Sequence, residues 1–174
     1  MFPLKFALRA APFRALAIRN LTSSVRPAAA SAVQKNYFSA SVAAMGEKKF
    51  TEEELRQRLT SEQFEVTQNK GTEGAFTGEL VNEKGKGMYN CVVCGVELFS
   101  SDTKFDSGSG WPSFTDIANA GTVKLIEDSS HGMVRTEVTC GSCHAHLGHV
   151  FNDGPGPSGK RYCINSCSLK FDKE

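Results

Sequence analysis

Long apolar runs are absent from this sequence. No segment approaches the ~20 consecutive apolar residues that a membrane-spanning helix needs, so we expect no membrane span. A secretory signal needs an uninterrupted apolar centre of about 7–15 residues. Arginines interrupt every apolar run near the N-terminus, which argues against secretion.

Acidic residues are missing from the first 46 positions, which hold six of the 20 Lys and Arg residues. This segment is also rich in Ala and Ser, a composition typical of a mitochondrial or plastid presequence. We predict that residues 1–46 are a disordered targeting presequence, with a mitochondrial destination preferred, and that residues 47–174 form one domain. A disordered basic tail is the alternative. A start at Met45 would give an untargeted, cytosolic form.

The charge balance of the remaining chain is mildly acidic. Residues 47–174 contain the other 14 Lys and Arg residues against all 19 Asp and Glu residues. This balance gives no reason to expect a nucleic-acid partner. We therefore expect no nucleic-acid partner. We also expect a monomer that does not bind a membrane.

Helical periodicity is confined to the start of the domain. Thr51 and Glu54 form a capping-box pattern, and Leu55 and Leu59 follow at helical spacing, which predicts a helix over residues 51–59. Residues 60–63 indicate another helical turn. From about residue 70, glycines and alternating segments favour strands and turns. The predicted strands are 122–127, 134–139 (a half-buried strand), 146–151 and 161–166, with a loop at 128–132 and a turn-rich connection at 152–159. This pattern predicts a mainly β domain, a small curled sheet or barrel, with short N-terminal helices.

Four of the six cysteines lie in two C-x-x-C pairs, Cys91/Cys94 and Cys140/Cys143. This spacing lets two thiolates bind one tetrahedral metal, and a glycine beside each pair allows the tight turn. Four thiolates favour zinc or an iron–sulfur cluster. We predict one structural Zn²⁺ per chain that ties distant segments together.

Two other interpretations of these cysteines remain open. The pairs could be separate redox motifs, or a metal could be bound by Cys140, Cys143, His146 and His149, which would leave the first pair without a role. A zinc hydrolase or deaminase is disfavoured because four cysteines would close the metal site. The His-x-Glu signature of deaminases is also absent beside either pair.

Cys163 is a candidate nucleophile outside the pairs. On a strand, Arg161, Cys163 and Asn165 project to the same face. An arginine lowers the pKa of a nearby thiol. His146 and His149 would point to opposite faces of an ideal strand, and a bend at Gly148 would bring both to one site. The alternative for Cys163 is an inert buried thiol.

Several motifs occur together in a recognisable order. They are the two C-x-x-C pairs, Gly108-Ser-Gly-Trp111-Pro-Ser-Phe114, His146-Leu-Gly-His149-Val-Phe and Arg161-Tyr-Cys163-Ile-Asn165. With them, the chain from about Lys70 to Phe171 resembles the methionine-R-sulfoxide reductases of the B type. The resemblance implies a β-tent of two antiparallel sheets and an oxidoreductase that repairs oxidised methionine, either free or in proteins.

The resemblance also implies roles for individual residues. Cys163 would attack the sulfoxide sulfur and become a sulfenic acid. His146 and His149 would assist proton transfer to the sulfoxide oxygen, and Trp111 would pack on the substrate methyl group. Thioredoxin or another thiol would regenerate the enzyme. The remaining implied residues are Arg161, Asn165 and Asp153, which shape the site, and the zinc ligands Cys91, Cys94, Cys140 and Cys143.

Two positions depart from the family pattern. Ser109 stands where many members have a recycling cysteine, and Cys167 is the one thiol without an assigned role. Four residues of strand span roughly 13 Å, whereas a disulfide needs Cα atoms within about 7 Å. We therefore hypothesise that an external thiol reduces the sulfenic acid directly. The second departure is Gly74-Ala75, where members commonly have Arg followed by a small residue or Pro.

A non-catalytic zinc-ribbon-like binding module is the competing class. In such a module Cys163 would be buried and slow to react with alkylating reagents. An enzyme would instead be alkylated selectively at Cys163 at or below neutral pH.

Overall fold

Two short helices precede the sheets in the computed structural model, which describes residues 46–174. The predicted presequence, apart from Gly46, lies outside the described residues. Helix α1 (Glu52–Arg58) begins with the predicted capping box, in which Thr51 and Glu54 each accept the other's backbone N–H. Helix α2 (Ser61–Asn69) has the same box between Thr60 and Gln63 and is longer than the single turn predicted. Among the described residues, no helix is long and apolar enough to cross a membrane.

The strands form two antiparallel sheets, as the family resemblance implied, rather than one curled sheet. One sheet has the strand order β2-β1-β9 and the other the order β3-β4-β8-β7-β6-β5. The strand bounds are β1 (Gly87–Cys91), β2 (Glu97–Ser100), β3 (Lys104–Phe105), β4 (Ser113–Phe114), β5 (Val123–Asp128), β6 (Arg135–Cys140), β7 (His146–Phe151), β8 (Arg161–Ile164) and β9 (Leu169–Lys173). The mainly β class with short N-terminal helices is therefore confirmed.

The four predicted strands all exist, with small differences in their ends. β7 has the predicted bounds, and β5 and β6 each lie one residue further along the chain. β8 ends at Ile164 because a 3₁₀ turn, Ser166–Ser168, follows it. The half-burial predicted for residues 134–139 is wrong. Val134 is 75% exposed, whereas Glu137 and the three residues after it are buried. β6 lies between β5 and β7, and its polar residue Glu137 is buried because His146 and Lys70 pair with the carboxylate. Alternation of apolar and polar residues therefore does not predict which side chains of β6 are buried.

Aromatic side chains from both sheets form the centre of the core. Phe99 of β2 stacks on Phe114 of β4 with 4.4 Å between ring centroids, and Tyr89 of β1 meets the same ring edge-on at 5.0 Å. Such pairs contribute roughly 0.5–1.5 kcal/mol each beyond the area they bury. This packing fixes β4, which in turn pairs with β8, the strand that carries Cys163.

Candidate active site and metal site

The four paired cysteines converge on one point. Their sulfur atoms all lie within 4.8 Å of one another. The Sγ–Sγ distance is 3.7 Å for Cys91 and Cys143 and 3.6 Å for Cys94 and Cys140. A tetrahedron with bonds of about 2.3 Å places sulfurs about 3.8 Å apart. The four thiols are therefore placed to hold a metal ion, which favours one shared metal site over two separate redox motifs.

The metal site joins the two sheets. Cys91 ends β1 and Cys140 ends β6, so the two cysteine pairs belong to different sheets. The first pair has its glycine in the left-handed region, at Gly95 (φ 78°). In the second pair, Gly141 lies in the turn, where an added Cβ would collide with the Gly121 carbonyl oxygen, and His144 (φ 62°) takes the left-handed conformation. The chain ahead of α1 covers the site, where Lys48 Nζ donates to the Cys94 carbonyl at 2.9 Å.

Cys163 lies at a separate small cavity of about 130 Å³. On β8 it pairs with Ser113 of β4 on one side and with His149 of β7 on the other. The structure thus brings four of the predicted residues together at this cavity. Its lining consists of Thr72, Trp111, Arg135, Gly148, His149, Phe151, Cys163 and Asn165.

A β-bulge brings the two histidines onto the same side of β7. Val138 pairs with Gly148 and Thr139 pairs with His146, so Leu147 is an extra residue in β7. An inserted residue shifts the alternation of side chains by one. The His146 and His149 rings consequently lie 5.5 Å apart, edge to face. The predicted bend exists, but it is centred on Leu147 rather than on Gly148.

His146 is buried behind the cavity and belongs to a charged group of three residues. Its Nδ1 lies 2.7 Å from one oxygen of Glu137, and Lys70 Nζ donates to the other oxygen at 2.8 Å. Burial lowers the pKa of His146 more than the hydrogen bond to Glu137 raises it, which favours the neutral ring. Burial opposes ionisation of Glu137, but its two partners together lower the pKa of that carboxyl. The alternative metal set that includes His146 is therefore not formed.

His149 is held in the cavity by Asp128, at the end of β5. The distance from its Nε2 to Asp128 Oδ2 is 2.8 Å, and Arg135 donates to the same oxygen at 3.0 Å. Hydrogen bonds from Ser130, then from His149, hold the pKa of Asp128 well below its usual range. The carboxylate therefore stays ionised and fixes the orientation of the imidazole.

Arg161 and Asp153 lie beside the cavity rather than in its lining. Arg161 donates to both oxygens of Asp153 at 2.8 Å, and its guanidinium lies over the Phe151 ring at 4.5 Å. Burial raises the pKa of the Cys163 thiol, while Ser109 and then Arg161 lower it by less. Selective alkylation of Cys163 at or below neutral pH stays a prediction, and desolvation opposes the arginine in setting the pKa of this thiol.

Residues 72–76 cover one side of the cavity and hold Trp111 and Asn165. Trp111 Nε1 donates to the Glu73 carbonyl at 3.2 Å, and Asn165 Oδ1 accepts the Glu73 N–H at 3.1 Å. Phe76 N–H donates to the Gly110 carbonyl at 2.8 Å. Asn165 lies beyond the end of β8 and still lines the cavity. The departure at residues 74–75 falls within this covering segment.

Cys167 faces a different cavity, of about 620 Å³. Its backbone N–H donates to a carboxylate oxygen of Glu73 at 2.9 Å. Burial and then the charge of Glu73 raise the pKa of the Cys167 thiol well above its usual value. Cys163 and Cys167 are both free thiols that open to different spaces.

Several residues of the site escaped sequence reasoning. Asp128, Arg135 and Glu137 orient the histidines, yet each looked like an ordinary polar residue of a loop or strand. Arg135 and Glu137 alternate along the strand and therefore share one face, and this polar face was the available signal. Its meaning depends on the pairing of β6 with β7, which carries the two histidines. Lys70 gave no signal, because it reaches Glu137 only through the fold.

Comparisons with known proteins agree with this architecture. Residues 59–173 match the SelR domain family. The chain is 58% identical over 122 residues to "Methionine-R-sulfoxide reductase B3, mitochondrial" of Mus musculus, which covers 70% of this chain and 48% of the mouse protein. It is also 58% identical to "Peptide methionine sulfoxide reductase MsrB" of Synechococcus sp. (strain RCC307) over 121 residues, 70% of this chain and 89% of that protein. The same name and identity recur in Leptospira interrogans over 124 residues, 71% of this chain and 95% of that protein.

Proposed function

Because this chain belongs to the methionine-R-sulfoxide reductase B family of oxidoreductases, we propose that it reduces methionine-R-sulfoxide to methionine with Cys163 as the nucleophile. The observation that carries this proposal is the shared cavity of Cys163, His149, Asn165 and Trp111. It places a thiol, an oriented imidazole and an aromatic wall around a space of methyl-sulfoxide size. The competing class, a non-catalytic module, offers no reason for this combination.

The proposed reaction begins with the Cys163 thiolate. The sulfoxide takes up one proton and gives its oxygen to the cysteine, so that methionine leaves and Cys163 becomes a sulfenic acid. Sulfoxide oxygen is a poor leaving group until it is protonated, and a histidine can supply the proton near neutral pH. His149 is the proposed donor because it lines the cavity and Asp128 orients its ring.

His146 has a supporting role in this proposal. With the Nδ1 proton directed to Glu137, its Nε2 carries a lone pair, and this buried atom has no hydrogen-bond partner among the described residues. The ring packs edge to face on His149. We propose that His146 is a positioning residue that holds the His149 ring in place by packing against it. Arg161, paired with Asp153, would stabilise the thiolate by its charge.

We propose zinc as the metal held by the four cysteines. Four thiolates in a tetrahedron suit this ion and leave no open coordination position for substrate. The role of the metal would therefore be structural. Inductively coupled plasma mass spectrometry of the purified chain should give one zinc per chain, and iron in its place would contradict the proposal.

An external thiol is the proposed reductant. Two thiols would convert the sulfenic acid back to the Cys163 thiol, and the products would be one disulfide and one water molecule. The separate cavities of Cys163 and Cys167 support this route over an internal disulfide. Thioredoxin and dithiothreitol are the donors to compare, and Cys167→Ser should retain most of the activity with either one.

Three exposed apolar residues adjoin the lining of the cavity through the chain or a backbone hydrogen bond, and we propose that they favour a peptide substrate. Met133 and Val134 directly precede Arg135, which lines the cavity. The Phe76 N–H donates to the carbonyl of Gly110, the residue before Trp111. Their exposed fractions are 57%, 75% and 71%. Val134→Asp should slow reduction of an oxidised protein several-fold and leave free methionine sulfoxide unaffected. Leu125→Asp on the β5 edge is the matched control, and equal effects of the two variants would contradict this assignment.

Mitochondrial targeting is proposed for residues 1–46. The support is their acid-free, Arg-rich composition and the word "mitochondrial" in the name of the mouse relative. A fluorescent protein fused after residue 46 should enter mitochondria, and a fusion of residues 45–174 should stay in the cytosol. Import into plastids alone would contradict the preferred destination. We also propose that the chain is a monomer, which sedimentation would test.

Separated sulfoxide epimers test the reaction itself. The wild-type chain with dithiothreitol should consume the R epimer at least tenfold faster than the S epimer. Cys163→Ser should remove the activity and keep the bound metal. Turnover by Cys163→Ser, or equal use of both epimers, would refute the proposal.

A further inference from the structure

Three serine hydroxyls form a connected chain that ends at the Cys163 sulfur. Ser109 Oγ lies 3.8 Å from Cys163 Sγ and 2.8 Å from Ser107 Oγ. Ser107 Oγ is in turn 2.7 Å from Ser113 Oγ, which is fully buried and donates to the Trp111 carbonyl at 3.3 Å. The two contacts between serine oxygens have ordinary hydrogen-bond lengths, the contact to the Trp111 carbonyl is long, and the contact to Cys163 has the greater length that the larger sulfur atom allows.

The number of protons limits how this chain can be oriented. Each serine has a single hydroxyl proton, although the oxygen can also accept. While Ser113 donates to the Trp111 carbonyl, Ser107 donates to Ser113 and Ser109 donates to Ser107. In this orientation Ser109 can only accept a hydrogen bond from the Cys163 thiol.

The opposite orientation suits a thiolate. If Ser113 turns its proton to Ser107, then Ser107 donates to Ser109, and the Ser109 proton is left for the sulfur. No proton moves between these oxygens, because each hydroxyl only rotates, and the thiol proton leaves to solvent. The reorientation gives up the 3.3 Å bond to the Trp111 carbonyl, which is the longest oxygen–oxygen contact of the chain. A hydrogen bond to a charged group is the stronger kind, and linked hydroxyls reinforce one another.

We propose that Ser109 is a catalytic hydroxyl that donates to the Cys163 thiolate, and that Ser107 and Ser113 are positioning residues that hold it in this orientation. The inference rests on the proposed role of Cys163 as nucleophile. It gives the serine at the recycling position a function of its own, because the side chain that cannot form a disulfide instead stabilises the reactive sulfur.

Charged and titratable groups lie around Cys163 on its own and the neighbouring strands, and the test must hold them constant. They are Arg161 on β8 with its partner Asp153, His149 on β7, and Arg135 on β6. The three serines contact none of these charges. Burial raises the pKa of Cys163 and the Ser109 hydroxyl opposes this rise, in agreement with the geometry.

The pH dependence of Cys163 alkylation by iodoacetamide tests the inference, with peptide mass spectrometry separating Cys163 from Cys167. Ser109→Ala should raise the pH of half-maximal rate by about one unit, the loss expected for one hydrogen bond to a charged group. Ser107→Ala should raise it by a smaller amount, and Ser107→Thr should restore the wild-type profile. Ser158→Ala, which removes an exposed serine that donates to the Thr115 carbonyl, is the matched control and should match wild type.

The pH dependence of kcat is a second measurement, which a purely structural role of Ser109 would not change. The kcat of Ser109→Ala should fall below the wild-type value at low pH and approach it at high pH, with KM unchanged. An alkylation profile of Ser109→Ala equal to wild type overturns the role of Ser109. A shifted Ser109→Ala profile with an unshifted Ser107→Ala profile overturns the positioning role. If Ser107→Ala fails to fold, Ser113→Ala breaks the chain at the next hydroxyl.

These outcomes are separate from a failure of the proposed function. Alkylation measures thiolate formation and needs no sulfoxide. A wild-type chain whose Cys163 is alkylated but never oxidised by the R sulfoxide would refute the proposed function and leave the hydroxyl chain intact.

Discussion

Glu137 illustrates how a single buried residue organises the candidate site. Its side chain is almost completely buried, and its two oxygens contact different partners, His146 and Lys70. Removing the carboxylate leaves the buried His146 Nδ1 without its hydrogen-bond partner, and an unpaired buried polar group costs free energy. The residue is therefore expected to matter for stability as well as for the orientation of His146.

Replacing this carboxylate should destabilise the fold. Glu137→Gln keeps the shape of the side chain but weakens its hydrogen bonds to His146 and to the largely exposed Lys70, and we expect a loss of about 1–2 kcal/mol in the free energy of unfolding by urea. Glu127→Gln, an exposed change on β5, is the control and should cost less than about 0.5 kcal/mol. Equal stability of the two variants would contradict the role assigned to Glu137.

The stability lost in Glu137→Gln should depend on pH. The pKa of Glu137 is lowered in the folded chain, so its contribution is present above the ordinary carboxyl pKa and is lost as pH falls through the folded value. Protonated Glu resembles Gln. The stability difference between wild type and Glu137→Gln should therefore shrink as pH is lowered from about 7 to about 3. A difference that stays constant over this range would show that Glu137 is not ionised in the folded chain.

The chemical role of a residue could be predicted from the sequence only where the residue belongs to a motif with a known spacing. The cysteine pairs have a spacing that specifies a metal, and the structure brings them together. Glu137 has no such spacing, because its partners lie 9 and 67 positions away in the chain. Arg161 lowers the pKa of Cys163 as its place on the strand predicted, but the stronger effect of desolvation depends on burial, which the sequence does not reveal.

At the scale of elements, the pairing of β7 with β8 sets the geometry of the cavity. Gly148 of β7 lies against the backbone of β8, where an added Cβ would collide with the Cys163 carbonyl oxygen. The bulge at Leu147 lies next to this contact and turns the histidines to one side. The close approach of the two strands therefore holds His149 beside Cys163.

A methyl group at this contact should separate the strands. Gly148→Ala is expected to lose most of the activity and about 1–3 kcal/mol of unfolding free energy, because the backbone on the other side cannot move aside cheaply. Gly46→Ala is the matched control, since an added Cβ there meets no atom of residues 46–174 within 4 Å. Wild-type activity in Gly148→Ala would contradict the importance of this contact.

Elements were more predictable than their details. The bounds predicted for β7 are those observed, because its flanking turn residues are explicit in the sequence. The bulge could not be placed, since Leu147 is an ordinary strand residue and only its pairing with β6 reveals the extra position. The end of β8 was missed because the 3₁₀ turn after it depends on contacts with Glu73, far away in the sequence.

For the whole molecule, the metal site is the link that ties the two sheets. The three-stranded sheet contributes Cys91 and the six-stranded sheet contributes Cys140. Binding of a structural zinc can contribute about 10–16 kcal/mol, which is comparable to the entire stability of a small domain, about 5–15 kcal/mol. The fold should therefore depend on the metal.

Loss of one ligand should unfold the domain. Cys91→Ser is expected to lose the bound metal and the cooperative thermal transition, as followed by circular dichroism. Cys167→Ser, which changes a thiol outside the cluster, should keep both. A folded and metal-free Cys91→Ser chain would show that the sheets hold together without the ion.

The most direct test of the account is a single turnover without reductant. The wild-type chain is mixed with one equivalent of methionine-R-sulfoxide, trapped with dimedone and digested for mass spectrometry. The account predicts one equivalent of methionine released and one dimedone adduct per chain on Cys163. A disulfide between Cys163 and Cys167, or oxidation at any other cysteine, would contradict it.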